Sequence, residues 1–443
     1  MSEKPRTEPA RGMRDFLPED IRRRAYVIGV ITRVYERYGF EPLETPAVEN
    51  LDTLLGKYGD EGNQLIFKIL MRGEHEASGK ADLALRYDLT VPLARVVAHH
   101  QAKLPRLFKR YQIQPVWRAD RPAKGRFREF YQCDVDTLGA TSPVVEAELC
   151  AAVAEVLTEL GFGDFTIRLN HRQLLTALLN GAGVAPERHA DALVTIDKLD
   201  KVGPERVSEE LAGRGLAADS VQRLVDTFAD HPLERQDRFV PGDPVGPDAV
   251  KNLQAVIELT TGTAAGGRVE FDVTLARGLS YYTGAIMEVN VPDLAGSLGG
   301  GGRYDNLVGM FLGESIPACG FSLGLERILV VMGERKMFPL TLAVAPADVM
   351  VAAFDPSGMA EAMKVAAGLR AAGLRVLIYP DPDKIGKQIK YADGRGIPFV
   401  ALLGETEIKD GTVTVKHLAA QTQTTYSQPE AGSKILEVLT HRG

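Results

Sequence analysis

The sequence predicts an α+β domain built on an antiparallel sheet, carrying a helical insertion and followed by a separate C-terminal α/β domain. Three patterns carry that prediction. Residues 107–117 and 126–136 alternate apolar and polar side chains on either side of a Gly/Pro-containing loop, as the two strands of an antiparallel hairpin do. Residues 171–230 are charged and amphipathic, with signals for several helices. From Pro346 onward, short apolar runs alternate with helical stretches, which marks an α/β unit of about 100 residues.

Composition narrows the class. The 443 residues are 45% hydrophobic and 25% charged, with a formal net charge of −7. That balance suits a soluble protein with sizeable cores and supplies no global basic field, so any contact with RNA falls to a local patch. Cys133, Cys150 and Cys319 form no C-x-x-C pair, and their number is odd. They are expected to be buried thiols in a reducing compartment rather than a disulfide framework or zinc site. No apolar run reaches the ~18 residues of a membrane span, and MSEKPRTEPA lacks the apolar core of a signal peptide. A cytoplasmic protein with no membrane partner is expected.

The elements follow in order. Pro18-Glu19-Asp20 starts a helix whose apolar residues Val27, Ile31, Val34 and Tyr38 recur at helical spacing, with Gly39 at its C-terminal cap. LALRYDLTVPLAR (83–95) reads as a strand turning into a helix, with Thr90 as N-cap and Pro92 in the first turn. In the hairpin, Tyr111, Ile113, Tyr131, Cys133 and Val135 fall on one face. Arg110, Gln112, Gln132, Asp134 and Asp136 fall on the other, which is either solvated or the floor of a ligand site. Residues 142–160 are helical in pattern. Val269 to Leu275 alternates like a strand, GSLGGGGRYDN reads as a glycine-rich loop, and ACGFSLGLERILVVM as a strand running into a helix. Pro339 to Pro346 is the expected linker.

The chemistry comes from side chains rather than from a nucleotide-binding loop. The nearest approach to a P-loop, Gly73 to Ala81, is one residue too long and lacks the Ser or Thr. No G-x-G-x-x-G opens a helix after a strand, and the eight histidines give no H-x-x-x-H pair. Arg118, Arg126, Arg277 and Arg327 stand at predicted strand and helix ends near glycines, where planar, permanently charged forks suit phosphate. Asp88, Gln132, Asp134, Asp136 and Glu326 offer acceptors for a ligand ammonium or Mg²⁺.

These segments resemble one family. FKRYQIQPVWRADRPAKGRFREFYQCDVD is similar to motif 2 of the class II aminoacyl-tRNA synthetases, in its histidyl form. ACGFSLGLERIL resembles motif 3, and LETPAVEN, with Pro46, resembles motif 1. ARGLSYYTGAIMEV, GGGRYDNLVGMF and RGMRDFLPED are similar to segments of the histidyl-tRNA synthetases. The resemblance spans nearly the whole chain, and the RGLSYYTG segment is what makes it specific to histidine.

The resemblance implies a class II catalytic domain over 1–170 and 240–338, a helical insertion over 171–239 and an anticodon-binding domain over 345–443. It implies a homodimer with motif 1 at the interface, and a histidine–tRNA ligase acting on L-histidine, ATP and tRNA(His). Arg118 would hold the α-phosphate, Arg126 the γ-phosphate side, and Arg327 the adenine and triphosphate. Arg277 would place a cation where charge develops at the α-phosphate. Asp88, Thr90 and Gln132 would take the substrate ammonium. Asp136 and Tyr282 would bond the imidazole, with Tyr281 and Tyr304 lining its pocket. Mg²⁺ would bridge the phosphates, partly through acidic residues such as Glu326, with no ligand set assigned.

Two positions depart from the pattern common in bacterial members. Asp88 stands where many have glutamate, and Ala123 where many have glutamine. The second change leaves Arg121 as the candidate contact to the tRNA acceptor end. In the C-terminal domain Lys384, Lys387, Gln388, Lys390 and Arg395 are candidates to face the anticodon. The rival expectations are a non-catalytic paralogue serving as regulatory subunit of ATP phosphoribosyltransferase, an RNA-sensing module without catalysis, and a class II synthetase for another amino acid. Intact Arg118, Arg277 and Arg327 argue against the first two, and Asp136, Tyr281 and Tyr282 against the third.

Overall fold

A computed structural model describes residues 7–73, 78–229, 239–240, 243–276, 281–342, 345–381 and 383–440. The chain divides into two compact units, Met1–Phe338 and Pro339–Gly443.

The first unit is organised by an eight-stranded sheet. In spatial order its strands are Glu41–Pro42, Phe108–Trp117, Glu129–Leu138, Ala318–Gly324, Ser297–Arg303, Ala285–Asn290, Thr166–His171 and Val269–Phe271. The six inner strands are antiparallel, and each edge is closed by a short strand running parallel to its neighbour. The hairpin predicted from period-two alternation is the Phe108–Trp117 and Glu129–Leu138 pair, with Gln112 opposite Asp134 and Arg110 opposite Asp136.

Helices Pro18–Arg37, Val144–Glu159, Val245–Thr260 and Leu325–Glu334 belong to the core on the sheet's apolar face, where Val27, Ile31, Cys133, Val135, Leu149, Val153, Leu253 and Ile328 are buried together. Pro18 sits in the first turn of the first helix, and Asp20 accepts the Leu17 N–H at 3.1 Å. Gly39 takes φ +76° just past its end, as the capping rule expects. The helices between residues 172 and 229 continue from the Thr166–His171 strand. The three cysteines are buried and free.

The polar face of the hairpin is not solvated. Arg110, Gln112, Gln132, Asp134 and Asp136 are all buried, so this face is the floor of something. Above it lies a second cluster, with the helix Thr90–His100 and a three-stranded sheet of Val48–Asn50, Ala81–Leu85 and Lys68–Leu70.

Three local expectations are corrected. Thr90 is the first residue of its helix rather than its cap. Leu89 holds the cap position, and the Asp88 carboxylate accepts the Val91 N–H at 3.0 Å. The alternation from Val269 ends as a strand at Phe271, because Asp272 turns the chain by accepting the Thr274 N–H at 2.9 Å. The glycine run is a strand in mid-sheet, Ser297–Arg303, not a loop. Space explains it. A Cβ on Gly301 would lie 2.1 Å from the Gly320 carbonyl oxygen, and one on Gly299 2.3 Å from that of Ser322. Gly301→Ala must therefore separate two backbones and is expected to destabilise this unit by about 3 kcal/mol or more. Urea unfolding followed by the fluorescence of Trp117, the chain's one tryptophan, measures it.

The second unit is a five-stranded sheet in the order Val376–Ile378, Val349–Ala353, Phe399–Leu403, Thr412–His417, Thr422–Ser427, the first three parallel and the last two antiparallel. Val349, Val351 and Ala353 face a core completed by Met359–Ala371 and Gln428–Thr440, while Met350 and Ala352 face one completed by Ile385–Gly394. Among the described residues no helix is long and apolar enough to cross a membrane.

Candidate active site

A cavity of about 410 Å³ opens on the polar face of the eight-stranded sheet. At one end it is ringed by guanidinium groups. Arg118 leaves the Phe108–Trp117 strand, is tied by its Nε to the Tyr87 carbonyl at 3.0 Å, and lies 4.3 Å over the Tyr87 ring and 5.2 Å from the Phe130 ring. Arg126 comes from the hairpin loop and donates twice to Asp120, at 2.9 and 3.1 Å. Arg327, in the first turn of Leu325–Glu334, donates to the Ser297 carbonyl oxygen. Three fixed cations around one cavity suit a polyphosphate. Glu326 also lines it, but its Oε1 accepts from Arg24 at 2.8 Å and its Oε2 from the Tyr131 N–H at 2.9 Å. It clamps helix Pro18–Arg37 to the sheet.

The other end is made of carboxylates and phenols. Asp88 accepts from Tyr58 at 3.0 Å and Tyr281 at 3.2 Å, besides the Val91 N–H. Burial pushes its carboxyl up, opposed by the Val91 N–H, the Arg118 charge and the two phenols. Thr90, Tyr281, Tyr282 and Gln132 share this end, and Gln132 donates to the Ser322 hydroxyl at 2.8 Å.

Asp136 and Tyr304 lie beneath this floor rather than on the cavity wall. Tyr304 donates to Asp136, whose Oδ2 is 2.8 Å from the Arg110 Nη2, and the Tyr304 ring packs 6.0 Å from that of Tyr281. The opposing Gly320 has to be glycine, since a Cβ there would stand 1.9 Å from the Asp136 Oδ1. Burial raises the Asp136 carboxyl, against the pull of Arg110 and Tyr304.

Nine of the residues singled out from the sequence therefore converge on one cavity: Asp88, Thr90, Arg118, Arg126, Gln132, Tyr281, Tyr282, Glu326 and Arg327. Arg121 is exposed on the hairpin tip and does not line it. Arg277 lies outside the described residues. Gln388 is corrected as an RNA-facing candidate: it is fully buried and donates to the carbonyls of Ala353 and Asp383 at 2.9 and 2.7 Å. Sequence reading missed Phe130, Glu288, Ser322 and Tyr58, which no spacing distinguishes, and it left Arg110 without a role although the polar alternation contained it. Among the described residues no three His, Cys, Asp or Glu side chains converge as a metal site.

A family model described as Histidyl-tRNA synthetase matches residues 12–328, and one described as Anticodon binding domain matches 348–438. The chain is 41% identical to the histidine–tRNA ligase of Gloeobacter violaceus, over 96% of this chain and 97% of that one. Among solved structures, a histidyl-tRNA synthetase from Nostoc is similar with TM-score 0.79 and 31% identity, over 98% of this chain and all of that one. A Bacillus halodurans structure described as an ATP phosphoribosyltransferase regulatory subunit/histidyl-tRNA synthetase shares the fold at TM-score 0.71 with 22% identity, covering 89% of this chain and 98% of that one.

Proposed function

The chain belongs to the histidyl-tRNA synthetase family, and from that premise we propose how its cavity carries out the family's reaction. The activity is that of a histidine–tRNA ligase: the histidine carboxylate attacks the α-phosphorus of ATP, pyrophosphate leaves, and histidine passes from the adenylate to the 3′ end of its tRNA. The observation that carries the site assignment is the union, in one cavity, of three guanidinium groups at one end and a carboxylate–phenol cage at the other.

Arg118 holds the α-phosphate, its Nε tied to the Tyr87 carbonyl and its guanidinium close to the Tyr87 and Phe130 rings. Arg126 takes the γ-phosphate side by exchanging Asp120 for phosphate oxygens. The adenine lies between Arg327 and Phe130. The other phenylalanine of the wall, Phe127, has the Arg14 guanidinium 3.4 Å over its ring, much closer than Arg118 comes to Phe130 at 5.2 Å. Arg277 adds a cation at the α-phosphate, worth about 10²–10³ in rate for such a group. Asp88, Thr90 and Gln132 hold the ammonium. Tyr282 bonds the imidazole from the cavity wall, and Asp136 acts on it from beneath the floor, where Tyr304 and Arg110 engage its oxygens; Tyr281 and Tyr304 pack around the ring, so an analogue lacking ring nitrogens leaves buried polar groups unpaired. Mg²⁺ would take most of its oxygens from the nucleotide, since Glu326 is already engaged by Arg24 and the Tyr131 N–H.

We further take 1–170 with 240–338 as the catalytic domain, 171–239 as its helical insertion and 345–443 as the anticodon-binding domain of a cytoplasmic homodimer. Exposed Lys384, Lys387, Lys390 and Arg395 lie along or beside Ile385–Gly394, next to the Tyr379–Tyr391 ring pair with centroids 5.4 Å apart. Cations beside an exposed ring suit splayed anticodon bases. Arg121, on the exposed hairpin tip, faces the acceptor end. The test is exchange of labelled pyrophosphate into ATP with each amino acid in turn. Exchange with histidine alone is expected. A folded protein that exchanges with none, or equally well with another amino acid, overturns the reading.

A further inference from the structure

The floor of the amino-acid end holds a carboxylate that the assignments above leave without a task. Asp134 lies between Gln132 and Asp136 on the same face of the Glu129–Leu138 strand, 2% exposed, just beneath the cavity wall and flanked by the lining residues Gln132 and Ser322. Its Oδ1 has no hydrogen-bond partner, and neither does the Oε1 of Gln132 beside it. One guanidinium serves two carboxylates here: Arg110, fully buried, is 2.8 Å from Asp136 and 4.0 Å from Asp134. With both carboxyls ionised the cluster carries one negative charge in excess, in a place water does not reach. An uncompensated buried charge of this kind is resolved by taking up a proton or by a cationic ligand.

Resting on the proposed function, we infer that Asp134 is a positioning residue that keeps one proton in the histidine site, shared between its own carboxyl and the substrate imidazole while histidine is bound. Asp88 answers the ammonium, Asp136 is matched by Arg110, and the remaining negative charge is matched by that proton. Other groups with an electrostatic effect here are Arg86, Asp88, Tyr282 and, from the helix behind the sheet, Tyr35, while Ser322 on the next strand shares a hydrogen bond with Asp134. Burial pushes the Asp134 carboxyl up to about 7, with Arg110 pulling it back and Asp136 adding to the rise. Near pH 8 the empty site has therefore mostly lost its proton, and so has free imidazole, whose pKa is about 6.5. Binding must then draw a proton from solvent onto the Asp134–imidazole pair.

The test is titration calorimetry of the full chain with L-histidine alone, near pH 8, in buffers of different ionisation enthalpy. Close to one proton taken up per histidine is expected in the wild type, falling towards none in Asp134→Asn, whose amide leaves Asp136 and Arg110 already balanced. In pyrophosphate exchange, the wild-type KM for histidine should rise by about tenfold per pH unit above 7. Asp134→Asn should flatten that rise while the KM for ATP keeps its own profile. Histidine binding to the wild type with no proton uptake overturns the inference on its own, even if Asp134→Asn fails to fold, and so does equal uptake in a variant that binds. A folded wild type that neither binds histidine nor supports histidine-dependent exchange sinks the functional reading and this inference with it.

Discussion

Arg118→Ala is expected to lower histidine-dependent pyrophosphate exchange by about 10²–10³-fold. The loss should fall on kcat at saturating ATP and histidine, because the guanidinium is assigned to the phosphorus where charge builds up in the transition state. Its position is prepared in the resting chain: the Nε is held by the Tyr87 carbonyl at 3.0 Å, and the guanidinium carbon lies 4.3 and 5.2 Å from the Tyr87 and Phe130 ring centroids. That geometry also makes Arg118→Lys a poor substitute, since an ammonium keeps the charge but neither stacks nor forks. A rate within roughly threefold of wild type in a folded Arg118→Ala protein would remove Arg118 from the reaction. Folding is checked by the Trp117 fluorescence, one residue away in sequence.

What the sequence made legible follows from what kind of signal each element carried. The hairpin announced itself because its two faces differ in chemistry, so a period of two survives even though both faces are buried. Whether the polar face met water or a ligand was beyond reach, since that depends on what folds over it from residues 81–100 and 281–312. The Ser297–Arg303 strand was misread as a loop because its glycines answer to neighbouring backbones, not to their own flexibility. Thr422–Ser427 gave no strand signal at all: its residues are polar and mostly exposed, and it is fixed only by pairing with Thr412–His417. Arg118, Arg126 and Arg327 could be singled out because a guanidinium fork at an element end is the residue type a phosphate site calls for, and all three line one cavity. Arg110, buried in mid-strand, matters through Asp134 and Asp136, and that partnership is visible only once strand register is known. Gln388 looked like a surface amide among lysines until its two backbone acceptors were in view.

Arg110→Met is expected to destabilise the Met1–Phe338 unit by about 3–5 kcal/mol near pH 8, the cost of leaving a buried pair without one partner. The sign of its pH dependence follows from the carboxyls it abandons. Asp134 and Asp136 already have pKa values above those of exposed carboxylates, with burial as the largest cause and Arg110 opposing it. Removing Arg110 raises them further. Between the unfolded value, about 3.9, and the raised folded values, the folded chain holds more protons than the unfolded one, so stability falls as pH rises through that window. The variant should therefore lie close to wild type near pH 4 and diverge from it steadily towards pH 8, a window wider at its alkaline end than the wild type's own. Adding Asp134→Asn to Arg110→Met should recover part of the loss near pH 8 and little near pH 4, because it deletes a charge that exists only at the higher pH. Urea unfolding read through Trp117 isolates this unit, since the Pro339–Gly443 unit has no tryptophan. A loss of equal size at both pH values would mean that Arg110 contributes packing and backbone hydrogen bonding, such as its bond to the Leu89 carbonyl at 3.3 Å, and not charge balance. The excess negative charge beneath the cavity floor would then have to be met by something other than this guanidinium.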